Sequence, residues 1–115
     1  MAYDERLAGR VRDVLAGRTG VDERKMFGGL SFLVHGNMAC GVVNETLMVR
    51  VGPEAYEASL ERAHARPMDF TGRPMRGMVY VDPAGLRTKR TLKPWVERGV
   101  AFATSLPAKG GSRRS

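Results

Sequence analysis

At 115 residues the chain has room for one domain with an ordinary hydrophobic core and none for a second. Apolar residues make up 43% and charged residues 27%, which is the make-up of a soluble globular protein, and no apolar run approaches the ~20 residues needed to cross a bilayer. The net charge of +7 is uneven: residues 1–61 hold seven Lys or Arg against nine Asp or Glu, residues 62–98 hold nine against three, and Lys109, Arg113 and Arg114 complete the total. A basic C-terminal half raises nucleic acid as a partner class, and it equally serves solubility.

The opening residues carry acids and no apolar stretch of the kind that directs secretion, so the expected location is cytoplasmic. Residues 3–17 predict an amphipathic helix. Leu7, Val11, Val14 and Leu15 fall on one stripe, Asp4 and Glu5 sit where the helix dipole favours acids, and Gly17 or Gly20 can end it.

Residues 25–51 predict three short strands joined by two tight turns, one at Gly36-Asn37 and a weaker one at Asn44-Glu45. With two-residue loops, Leu30 faces Val43, Phe32 faces Gly41, Val34 faces Ala39, and Gly41 faces Met48. Phe32 is then expected over the bare backbone at Gly41. Leu33, Met38, Cys40, Val42, Leu47, Val49 and Val51 gather on one face, and Leu30, Phe32, Val34, Ala39, Val43, Met48 and Arg50 on the other. Neither face is polar, so the second needs a cover: the chain's own helices, a second copy, or another partner. Gly28-Gly29 suggests a bulge, a bend or the close approach of another backbone; the phosphate-cradling patterns GxxxxGK[ST] and GxGxxG are absent.

Beyond Gly52-Pro53, residues 54–63 predict a short helix, with Tyr56 and Leu60 one turn apart. Residues 64–77 read as a structured loop, residues 78–81 as a further strand, and residues 85–90 as a basic connection. Residues 91–106 predict the last helix, with Leu92, Trp95, Val96, Val100, Ala103 and Leu106 as its apolar stripe, Thr91 as its N-cap and Pro94 in its first turn. The domain is thus expected over residues 1–106, with a flexible basic tail at 107–115. Its class is α+β: two layers, an antiparallel sheet of about four to five strands, and N-terminal, middle and C-terminal helices.

Lys25-Met26-Phe27-Gly28-Gly29, Gly36-Asn37-Met38, Leu47-Met48-Val49-Arg50-Val51, and the Pro-Met loop before Met78-Val79-Tyr80-Val81 resemble the TfoX N-terminal domain family, named for regulators of natural competence. The resemblance covers about residues 3–106. It implies an antiparallel sheet with flanking helices and a place in gene regulation, and it brings no catalytic residues.

The residues themselves bring together no reacting groups. His35 and His64 stand apart, Gly29-Leu30-Ser31-Phe32-Leu33 lacks the final Gly of a nucleophile elbow, and the paired acids are helix-start and turn residues. Cys40 is the only cysteine, which excludes an internal disulfide and leaves a zinc site without its usual ligands; in an apolar strand it reads as a small buried hydrophobe. No enzyme, cofactor or metal is expected. The favoured function is protein interaction, with a partner or a second copy, through an apolar patch of Leu30, Phe32, Val34 and Met48 bordered by Arg50. The alternative is weak, sequence-independent nucleic-acid binding through Arg73, Arg76, Arg87, Lys89, Arg90 and Lys93.

Overall fold

A computed structural model describes residues 3–26, 28–69 and 74–108. Helix α1 spans Glu5–Leu15, and Asp4 caps it by accepting from the backbone N–H of Arg6 at 2.8 Å and of Leu7 at 3.4 Å. Leu7, Val11 and Leu15 are buried as their spacing requires, and Ala8 joins them.

Six strands follow: β1 (Val21–Met26), β2 (Gly29–Val34), β3 (Asn37–Val43), β4 (Thr46–Arg50), β5 (Ala65–Asp69) and β6 (Pro74–Val81). They form one antiparallel sheet in the order β1-β2-β3-β4-β6-β5. The short helix α2 (Tyr56–Leu60) precedes β5, and a 3-10 turn at Pro83–Gly85 leads into α3 (Lys89–Ser105). All three helices contribute to a single core on one side of the sheet, which makes the two-layer α+β domain expected from the sequence.

The two additional strands are the sheet's edges. In β1 the four central residues, Asp22 to Lys25, are all exposed. In β5 Arg66 and Pro67 replace an apolar alternation, because charge and proline both blunt an unpaired edge. The Gly28-Gly29 pair is no bulge: Met26 pairs with Gly29, so Gly28 belongs to the β1–β2 turn. A side chain at Gly29 would strike the carbonyl of Val42, the close backbone approach foreseen as one option.

The β2–β3 register differs from expectation by one residue. The turn is His35-Gly36, at φ +53 and +83, and Val34 pairs with Asn37. Two consecutive positive φ values match the right-handed twist of a hairpin, so this pair outcompetes Gly36-Asn37. Asn37 instead serves the helix layer: its side-chain amide donates to the carbonyls of Ala103 at 3.4 Å and Pro107 at 2.9 Å, closing the end of α3. A bulge follows, since Leu33 pairs with Met38 while Phe32 pairs with Cys40, leaving Ala39 as the extra residue. Ala39 is where α3 comes closest, and a Cβ at Gly99 would collide with its carbonyl oxygen. The Asn44-Glu45 turn and the Gly41–Met48 pair are as expected.

α3 begins two residues earlier than the apolar stripe suggested. Thr88 is the N-cap and exchanges reciprocal bonds with Thr91, each at 3.2 Å. Pro94 therefore lies in the second turn, where it has no N–H to give the carbonyl of Arg90.

Candidate interaction surface

Strand alternation gives the sheet two chemically different sides. The helix side takes Leu30, Phe32, Val34, Ala39, Cys40, Val42, Leu47, Val49, Val51, Val79 and Val81, closed over by Leu7, Val11, Leu92, Trp95, Val96 and Val100. Val is stiff at χ1 and packs well on a pleated surface against a fixed neighbour. The other side is built on Met38, Met48, Met68 and Met78, with Val43, Met75 and Tyr80 packed against them. Met26 reaches the same side through its pairing with Gly29. Six of the chain's seven methionines thus lie on a face to which no helix among the described residues contributes. Met38, Met48, Met68 and Met78 bury one another, Met48 and Met68 fully, while Met26, Val43, Met75 and Tyr80 remain half-exposed. Met48 occupies the space above Gly41, where a Cβ would stand 2.7 Å from its methyl.

The register shift divides the patch expected from the sequence. Leu30, Phe32 and Val34 point into the helix layer, each no more than 5% exposed, because moving β2 by one residue exchanges its faces. Phe32 pairs with Cys40, and Met48 takes the place over Gly41 that was assigned to Phe32. Met48 stands on the opposite side from those three and is fully buried. Arg50 lies with its guanidinium 5.1 Å from the ring centre of Phe102 on α3, at the end of β4. The five residues do not form one surface. The half-exposed Met26, Val43, Met75 and Tyr80 take their place. The usable signal was the placement of Met38, Met48, Met68 and Met78 in apolar or strand-like segments.

By register Arg24 and Arg66 fall on the methionine face together with Asp22, whereas Arg50 turns to Phe102 of α3. Arg66 lies 4.7 Å from the ring centre of Tyr80 and pairs with Asp82 at 2.8 Å. The Ser31 hydroxyl is fully buried on this side and finds no hydrogen-bond partner among the described residues. Such an orphan costs about 1–3 kcal/mol.

The basic residues proposed from sequence are spread over two places. Arg87, Lys89, Arg90 and Lys93 are exposed around the start of α3, whereas Arg76 lies 5.7 Å from the ring centre of Tyr56 and 3.9 Å from Glu57. Arg73, Arg113 and Arg114 lie outside the described residues, as does all of the expected tail but Pro107 and Ala108. Arg90 also lines an open cleft between α2 and α3, with Arg62, His64, Trp95 and Arg98. Nothing in the sequence drew Arg62, His64 and Arg98 together, because they stand on different elements.

For catalysis, the described residues hold no cluster of three or more His, Cys, Asp or Glu side chains placed to share a metal ion. Burial pushes the Cys40 thiol up to about 12, so it is a packing residue on the helix side and no nucleophile at neutral pH. No helix among the described residues is long and apolar enough to cross a membrane.

Comparison with curated proteins gave no match, and neither did comparison with solved structures. A family scan did: residues 13–103 match the TfoX N-terminal domain. That span runs from the last turns of α1 through the whole sheet to the end of α3, taking in both of its faces, and the chain therefore belongs to the TfoX N-terminal domain family.

Proposed function

We propose that this chain is a regulatory, non-enzymatic domain that docks a protein partner on the methionine face of its sheet. The observation that carries this reading is the one-sided distribution of helices, which leaves six methionines on a face without a helical cover. Thioether side chains are unbranched and polarizable, so such a surface adapts to the shape of its partner. Arg24 and Arg66 at that face favour a segment that sets acidic groups beside an apolar stripe. A role in regulation rests on the resemblance to competence regulators.

The test is a pair of variants at half-exposed positions, Val43→Asp and Met75→Asp. Both are expected to keep the circular dichroism spectrum and melting temperature of the parent, to remain monomeric in light scattering, and to lose a partner that the parent retains from its native cytoplasm. A parent and variants that retain the same proteins overturn the reading. A parent dimer dissociated by Val43→Asp would replace the acidic partner with a second copy.

A second reading concerns the basic half. Four cations crowd the first two turns of α3 and the residues before it, which favours weak phosphate-backbone contacts. Its mark is an oligonucleotide affinity that drops steeply with salt and with neutralisation of Arg87, Lys89 and Lys93.

A further inference from the structure

The cleft between α2 and α3 has a volume of about 590 Å³, within the roughly 300–1,000 Å³ usual for small-ligand sites. It lies on the helix side, away from the methionine face. Arg62 enters it from the segment after α2, Arg90 from the first turn of α3, and Arg98 from two turns further along. His64, at φ +69, sits against Gly85, where any Cβ would come within 2.9 Å of it.

Other arginines of the molecule are paired with acids. Arg12 meets Glu23 at 2.6 Å, Arg18 meets Glu97 at 2.7 Å, and Arg66 meets Asp82 at 2.8 Å. Among the described residues, Arg62, Arg90 and Arg98 form no such pair. Glu97, the only acid on α3, is engaged by Arg18, and Glu61 is the single acid on the cleft wall. Arg98 is held instead by Trp95, with its guanidinium 4.9 Å from the ring centre. Burial, and after it the charge of Arg62, make it easier to deprotonate than an ordinary arginine, and an anion between the two would relieve the smaller, like-charge part.

Guanidinium groups present paired N–H donors that match phosphate oxygens, and several converging on one concave site form a phosphate clamp. We propose that this cleft binds the phosphate or diphosphate group of a small phosphorylated molecule, clamped by Arg62, Arg90 and Arg98. The adjoining wall of Ala58, Ala84, Pro94 and Trp95 offers an apolar surface to the rest of that molecule.

The full chain is titrated with inorganic pyrophosphate and, separately, with AMP, by calorimetry and thermal melting at constant ionic strength. Expected is saturable one-to-one binding that raises the melting temperature. The double variant Arg62→Gln, Arg98→Gln should weaken it by about tenfold or more, and Arg90→Gln by less. Lys25→Gln removes an equal charge on β1, at the far edge of the sheet, and should change the affinity by less than about twofold. The proposal is overturned if neither probe saturates at millimolar concentration, or if the double variant binds as the parent does. It is also overturned if a single-stranded oligonucleotide binds while both small probes do not. Should the double variant lose its fold, Arg90→Gln decides: an unchanged affinity there overturns the clamp.

Discussion

The two faces of this sheet are made by the same strands and solve burial differently. On the helix side stiff residues meet a fixed layer: Val42, Val49, Val79 and Val81 are fully buried beneath α1 and α3, and Gly99 brings the α3 backbone onto the Ala39 bulge. On the other side flexible methionines pack on one another, joined among the described residues by Val43 and Tyr80. Residue choice follows from what each face has to meet. A surface with a permanent neighbour can be cut to shape, whereas one without a neighbour is better served by side chains that change shape at low cost.

The sharpest way to break this contrast is to remove volume from each side. Phe32→Ala empties a fully buried site under the helices and should lower stability by about 3–5 kcal/mol in denaturant unfolding. Met38→Leu on the opposite face should cost about 1.5 kcal/mol or less, because the swap keeps volume and its neighbours can adjust. Equal losses would show that the methionine face is packed as rigidly as the helix layer.

The contrast can be sharpened through Cys40. The folded thiol keeps its proton to about pH 12, while the unfolded one ionises near 9. The native protein should therefore resist thiol reagents at pH 8 and react fully once denatured. Stability should fall as pH rises from 9 towards 12, since over that window the unfolded chain binds fewer protons than the folded one. Fast labelling of the native protein would mean that the helix layer opens readily.

The smallest effect is expected where the helix layer is clasped at its edge. Glu23 of β1 accepts from Arg12 of α1 at 2.6 and 2.9 Å, and this hydrogen bonding holds its carboxyl below the usual range. The pair is largely exposed, so Glu23→Gln should cost no more than about 0.2–1 kcal/mol. The contribution is present above the ordinary glutamate range and is lost as pH falls through the lowered value, so the difference between parent and variant should vanish in acid.

Strands β2, β3, β4 and β6, together with α1 and α3, were legible because their apolar residues repeat with the right period. β1 and β5 were not: as edges they are held by backbone pairing, and Asp22-Glu23-Arg24-Lys25 and Ala65-Arg66-Pro67 carry no strand alternation. The β2 register was misjudged because Asn37 reads locally as a turn residue, while its partners, Ala103 and Pro107, lie 66 and 70 residues away. That single step moved Leu30, Phe32 and Val34 from the expected surface into the core. Arg90 stood among the basic candidates, but Arg62 and Arg98 were not legible for the same reason, since they meet only after α2 and α3 have packed.

The strand order bears on how quickly the chain folds. Every neighbouring pair in the sheet is joined by a hairpin except β4 and β6, which are separated by α2 and β5. Most of the sheet can therefore zip up from local loops, each with a small closure entropy. The distant steps are the pairing of β4 with β6 and the seating of α3 on β3, fastened by Asn37. Shortening that amide with Asn37→Ser should speed unfolding more than it slows folding, as expected of a contact between residues 66 apart in the chain.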